Sequence, residues 1–148
     1  MAHDARSAYG SARYSPQRER IALVIDAFGR AFTADELVAA LAEGASAKAG
    51  APGTATVYRA LVALEESGYV ARVGERDGAT LYARCSAEGH HHHFVCTVCG
   101  NVTAAECPID QSTFAAAARQ GFVITHHEIT LHGICHTCLT AGWDREAH

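Results

Sequence analysis

The chain has 148 residues and a formal charge of −4, from 12 Lys/Arg against 16 Asp/Glu, with 49% hydrophobic residues. That length holds one ordinary domain or two small ones, and the net negative charge excludes a uniformly basic nucleic-acid coat. No apolar run is long enough to span a bilayer, and residues 1–14 lack a secretory apolar stretch, so a cytoplasmic protein without membrane contact is expected.

The charge is uneven. Residues 1–89 hold ten Lys/Arg and eleven Asp/Glu, giving −1, whereas residues 90–148 hold two and five, giving −3. Any DNA contact in the first half must therefore come from a local basic face. Residues 1–14 read as a mobile tail. Ser15-Pro16 is expected to cap and open a first helix, with Ile21, Val24, Ile25 and Phe28 on its buried face and Gly29 as the stop. Thr33-Ala-Asp-Glu36 is a capping-box pattern that starts a second helix through Leu37, Val38 and Leu41 to Gly44.

A small-residue stretch, Ala45 to Gly53, leads to a third helix with Thr54 as the expected cap and Val57, Leu61 and Leu64 inside; Gly68 ends it. Extended segments Tyr69–Val73 and Thr80–Arg84, joined through Arg76-Asp77-Gly78, form a hairpin. Three helices and a hairpin describe a winged helix-turn-helix, although plain interaction modules share the pattern. Thr56, Tyr58 and Arg59 lie outward on the third helix. Arginine can read guanine, and threonine or tyrosine can meet phosphate; mere solvation of these side chains is the competing reading.

His90-His-His-His93 runs into Cys96-x-x-Cys99, and 35 residues separate that pair from Cys135-x-x-Cys138. Two such pairs supply the four thiolates of a tetrahedral structural zinc site, with rubredoxin-like iron as the rarer occupant. In a strand, successive side chains alternate faces. His91 and His93 would then join Cys85 in one borderline-soft set, and His90 and His92 would join His127 in another. Cys107 reads as a small apolar residue, and His3, His132, His136 and His148 as surface residues. Asn101–Ala105 reads as a strand, Pro108 to Arg119 as a helix ended by Gly121, and Phe122 to Leu131 as another strand. Such a small α/β unit needs a metal staple or a partner subunit.

Ser15-Pro-Gln-Arg18, Thr56-Val-Tyr-Arg-Ala-Leu61, the His90–His93 run into Cys96-x-x-Cys-Gly100, and Cys135-x-x-Cys138 resemble ferric uptake regulator family proteins over about residues 13 to 139. The resemblance implies an α+β homodimer with an N-terminal winged helix-turn-helix domain and a small C-terminal α/β dimerisation domain. The expected division is a tail 1–14, a DNA-binding domain 15–86, a metal-binding dimerisation domain 87–141 and a tail 142–148. The resemblance implies that Tyr58 and Arg59 contact an operator in double-stranded DNA, with Arg18 and Thr56 beside them.

Family members sensing iron, manganese or peroxide take a histidine where this chain has Ala31-Phe32, whereas zinc sensors use a cysteine at the end of the wing, where Cys85 stands. The sequence is therefore most similar to the zinc uptake branch. It implies zinc in the four-cysteine site and in the regulatory site, with iron or manganese as the alternatives at the latter. Ala71 replaces a common fourth ligand, leaving Glu106 or water for that position. Gln111, with Asp110 beside it, stands where the second site usually has glutamate.

The expected mechanism is a metal clamp between the two domains that sets the spacing of two recognition helices and so represses zinc uptake genes. A regulator of the same family answering to iron, manganese or peroxide is the alternative. A zinc enzyme or storage module is more remote, since a deaminase needs His-x-Glu and Pro-Cys-x-x-Cys and the chain has neither.

Overall fold

The computed structural model describes residues 8–10, 15–44, 50–85 and 90–143. His3, His148, residues 45–49, the boundary at 86/87 and the end of the second tail fall outside these. Helix α1 spans Pro16–Phe28 and ends at Gly29, whose φ of 60° is left-handed. Ser15 holds the cap position without a side-chain cap bond. Helix α2, Ala34–Glu43, opens with the full capping box: Thr33 Oγ1 accepts from the Glu36 N–H, and the Glu36 carboxylate accepts from the Thr33 N–H. Helix α3, Thr54–Glu66, is capped by Gly53 rather than Thr54, because the Gly53 carbonyl already accepts from Thr56 and Val57.

Ile21, Ile25, Leu37, Leu41, Val57, Leu61 and Leu64 meet in one buried core. Ala8 and Tyr9 join it, so part of the segment expected to be a mobile tail is packed. Tyr9 supplies the reason: its ring offers a large apolar area to the core, and the Arg18 guanidinium lies 5.3 Å from its centroid.

Strand β1, Phe32–Thr33, was not legible in the sequence; it pairs with β3, Ala79–Arg84, which pairs with β2, Val70–Arg76, giving the antiparallel order β1-β3-β2. Asp77 and Gly78 both have positive φ, 53° and 77°, as the tight hairpin turn requires. The second sheet has the order β5-β4-β6, from β4 His92–Cys96, β5 Val102–Ala105 and β6 Thr130–Gly133. β4 pairs antiparallel with β5 and parallel with β6.

Helix α4, Gln111–Arg119, begins later than Pro108 suggests, because the Asp110 carboxylate caps it by accepting from the Ser112 and Thr113 N–H groups. The expected strand from Phe122 to Leu131 shrinks to β6. His92 Nδ1 accepts the Ile129 N–H, so a side chain takes the place of a ladder bond, and Val123 is 87% exposed. A short α5, His136–Thr140, follows Cys135.

The two sheets touch. Val95 of β4 packs with Ala31, Val73, Leu81 and Ala83 in a second apolar cluster. This contact fixes where the wing end meets the histidine strand.

Candidate metal centres and nucleic-acid interface

Strand alternation divides the histidines as the pleat requires. Among the described residues, three groups of ligand atoms lie within 4.8 Å of one another: Cys96, Cys99, Cys135 and Cys138; Cys85, His91 and His93; and His90, His92, Cys107 and His127.

In the first group, the Cys96 and Cys138 sulfurs are 3.9 Å apart and those of Cys99 and Cys135 are 3.7 Å apart. A tetrahedron with metal–sulfur bonds of about 2.3 Å has edges of about 3.8 Å, so these thiols fit one zinc-sized ion and are too far apart for disulfides. Burial raises the Cys96 thiol, but bonds from the backbone near Cys99, Cys135 and Val98 outweigh it and lower its pKa to about 6. Cys138 is pushed up to about 12, first by burial and then by its neighbouring thiols. A thiolate forms readily at Cys96, whereas burial and the neighbouring thiols disfavour one at Cys138 until a cation joins them.

Cys85 sits where β3 leaves the wing. Its N–H donates to the Tyr69 carbonyl over 3.0 Å. Arg84 beside it is fixed by Asp26 at 2.7 Å and lies over the Tyr69 ring at 4.1 Å. Cys85 Sγ is 3.8 Å from His93 Nε2, near the roughly 3.6 Å edge expected between sulfur and nitrogen ligands. Both residues are buried. Burial raises the Cys85 thiol and lowers the His93 imidazole, which also feels His91. The neutral imidazole is the form that ligates. Ala71 lines the same cleft as these residues, together with Glu65 and Glu128. Glu106 is exposed and joins none of these groups.

The third group contains a residue read as merely apolar in the sequence. Cys107 is half-buried, with Sγ 3.2 Å from His127 Nε2. The register pairs Ala105 with His92, so strand parity already puts residue 107 on the His90/His92 side. Asp110 is occupied as the α4 cap, and Gln111 is exposed. His132 is exposed as expected, yet its ring covers Gly74 of the wing.

On α3, Tyr58 and Arg59 are exposed, while Thr56 is half-buried and accepts from Arg59 over 3.3 Å. Arg18 and Arg59 line one hollow between α1 and α3. Tyr58 faces the neighbouring hollow beside Thr33, Asp35, Thr80 and Tyr82. The helix thus carries an arginine, a phenol and a hydroxyl on its open side, the donor set that nucleic-acid backbones and base edges accept.

Residues 10–132 match the ferric uptake regulator family. The ferric uptake regulation proteins of Bordetella parapertussis and Bacillus subtilis are 36% identical over 87 residues and 39% identical over 89 residues, each match covering 58% of this chain and 62% or 60% of the relative. The chain thus spans about three fifths of the length of these curated relatives. Among solved structures, a zinc uptake regulator complexed with zinc and DNA is similar with a TM-score of 0.72 and 27% identity, covering 91% of this chain and 89% of that one. The Vibrio cholerae ferric uptake regulator gives 0.56 and 29%, covering 83% and 92%. Mixed α+β architecture, with an N-terminal winged helix followed by a small α/β unit, is common to them. The chain belongs to the ferric uptake regulator family.

Proposed function

We propose that the chain is a metal-dependent transcriptional repressor, not an enzyme, that binds double-stranded DNA as a homodimer in the cytoplasm and responds to zinc. The observation that carries this reading is the Cys85, His91 and His93 group, which straddles the end of the wing and the central strand of the second sheet. A divalent ion there adds a bond between two units that already meet through an apolar cluster and the Ala31–Gly100 backbone hydrogen bond. Cys85 holds the wing side, and His91 and His93 hold β4. Fixing the angle between them fixes where α3 presents Tyr58 and Arg59, and in a dimer it sets the distance between two such helices.

A thiolate and two imidazoles favour zinc over manganese. Ala31, where an iron-type ligand would stand, is fully buried in the apolar cluster. The solved relative holding both zinc and DNA supports the same assignment. Second-unit exposure of Phe94, Phe122, Val123, Leu131 and Leu139 supports a partner copy.

The test is a mobility shift of the gene's own promoter fragments with zinc or chelator, for wild type and Cys85→Ala. Zinc should tighten wild-type binding by about 5–150-fold and leave the variant unchanged. A folded Cys85→Ala protein that still answers to zinc overturns the clamp.

A further inference from the structure

The face of β4 opposite the clamp is met twice by the returning chain, once at Cys107 before α4 and once at His127 after it. His90 Nε2 lies 2.9 Å from His127 Nε2, which in turn lies 3.2 Å from Cys107 Sγ. His92 is only 2% exposed, and its Nε2 has no hydrogen-bond partner among the described residues. Its ring packs edge-on to His90 at 4.6 Å and beside His127 at 5.1 Å. An orphaned buried imidazole nitrogen is costly unless something completes it.

We propose that Cys107 is the fourth ligand of a His90, His92 and His127 site for a borderline-soft divalent cation, zinc foremost, and that this site fastens the α4 excursion to β4. Three neutral imidazoles and one thiolate leave a doubly charged ion with one residual positive charge, and the thiolate selects against magnesium and manganese. The observed spacings are slightly shorter than the edges of a zinc tetrahedron, about 3.3 Å between nitrogens and about 3.6 Å between nitrogen and sulfur. Those two edges, His90–His127 and His127–Cys107, therefore open by a few tenths of an ångström on loading. Ligation through His92 Nε2 also moves that ring's proton to Nδ1 and gives up the bond from Ile129.

Helix α4 gives the site its purpose. It buries no residue of its own, and Phe122 and Val123 beyond it are exposed. Cys107 and His127 flank that excursion, so one ion would close it like a clasp. The proposal rests on the chain being metal-responsive but does not depend on DNA.

Cobalt(II) distinguishes the two, since thiolate ligation gives a near-ultraviolet charge-transfer band that imidazole ligation alone does not. With zinc kept in the four-cysteine site, Cys85→Ala should take up about one cobalt equivalent with that band, and Cys85→Ala/Cys107→Ala should lose the band. Zinc should slow amide exchange in residues 111–119 of Cys85→Ala but not of the double variant. A band that survives Cys107→Ala, cobalt uptake without any band in Cys85→Ala, or no uptake at all overturns the proposal. Should Cys85→Ala not fold, Cys107→Ala alone must lose one of the cobalt equivalents bound by wild type while keeping the Cys85 band. Retention of the full count overturns it. A protein that loads this site yet ignores DNA refutes the repressor reading and leaves the ligand assignment standing.

Discussion

The Ala31 N–H donates to the Gly100 carbonyl over 2.8 Å, joining the turn before α2 to the knuckle that carries Cys96 and Cys99. The four-thiolate group is therefore tied by backbone to the helix-turn-helix. Anything that loosens the knuckle reaches Ala31, and through it the apolar cluster of Val73, Leu81, Ala83 and Val95.

Cys96→Ser should remove a thiolate that also accepts the Cys135 N–H, at 3.3 Å. Calorimetry should show an early, broad transition for the second unit, and chelator should add little to the loss. A melting profile equal to that of wild type would rule out the staple.

Gly74 occupies a φ of 142°, a region open to glycine almost alone, where the strand register shifts. A Cβ there would lie 2.9 Å from His132 Cε1. Gly74→Ala should cost about 1–3 kcal/mol in denaturant unfolding. Adding His132→Ala should recover only the steric part, because the backbone strain remains.

Arg59→Ala should weaken DNA binding with zinc content unchanged. If Arg59 meets a base edge the cost is about 1–3 kcal/mol and specificity relaxes; if it meets phosphate, the salt dependence falls by about one unit of slope. Titration at several salt concentrations separates the two outcomes, and unchanged affinity at all of them removes Arg59 from the interface.

Glu36 is subject to a burial cost that raises its pKa, but bonds from Arg30 and the Thr33 N–H, with Arg76 nearby, hold it down to about 2 from the usual 4.5. Its folded value is lower than its unfolded one, so its contribution is present above pH 4.5 and disappears as pH falls toward 2. With solvent screening of both arginine partners the effect is about 1 kcal/mol. Glu36→Gln should be less stable than wild type at pH 7, and the gap should close by about pH 2 in parallel thermal melts.

The capping box, the hairpin turn and the inner stripe of α3 were legible because each depends on neighbours a few residues apart. The division of the histidines between two faces followed from the pleat alone. The placement of Cys107 beside His127 was not legible because it depends on pairing between β4 and β5, and parity past the end of β5 was the available signal. Strand β1 and the shortening of β6 were illegible for a related reason: a two-residue strand exists only through its partner β3, and an Ile129 bond to His92 breaks the ladder. Long-range geometry, not local propensity, decided these points.

Strand β4 makes its centres interdependent in a way single substitutions do not reveal. Inserting or deleting one residue between His90 and His93 would send the imidazoles on one side of the change to the wrong surface, stripping both histidine groups together. A single substitution here alters one group, whereas a change in the length of this segment breaks up both at once.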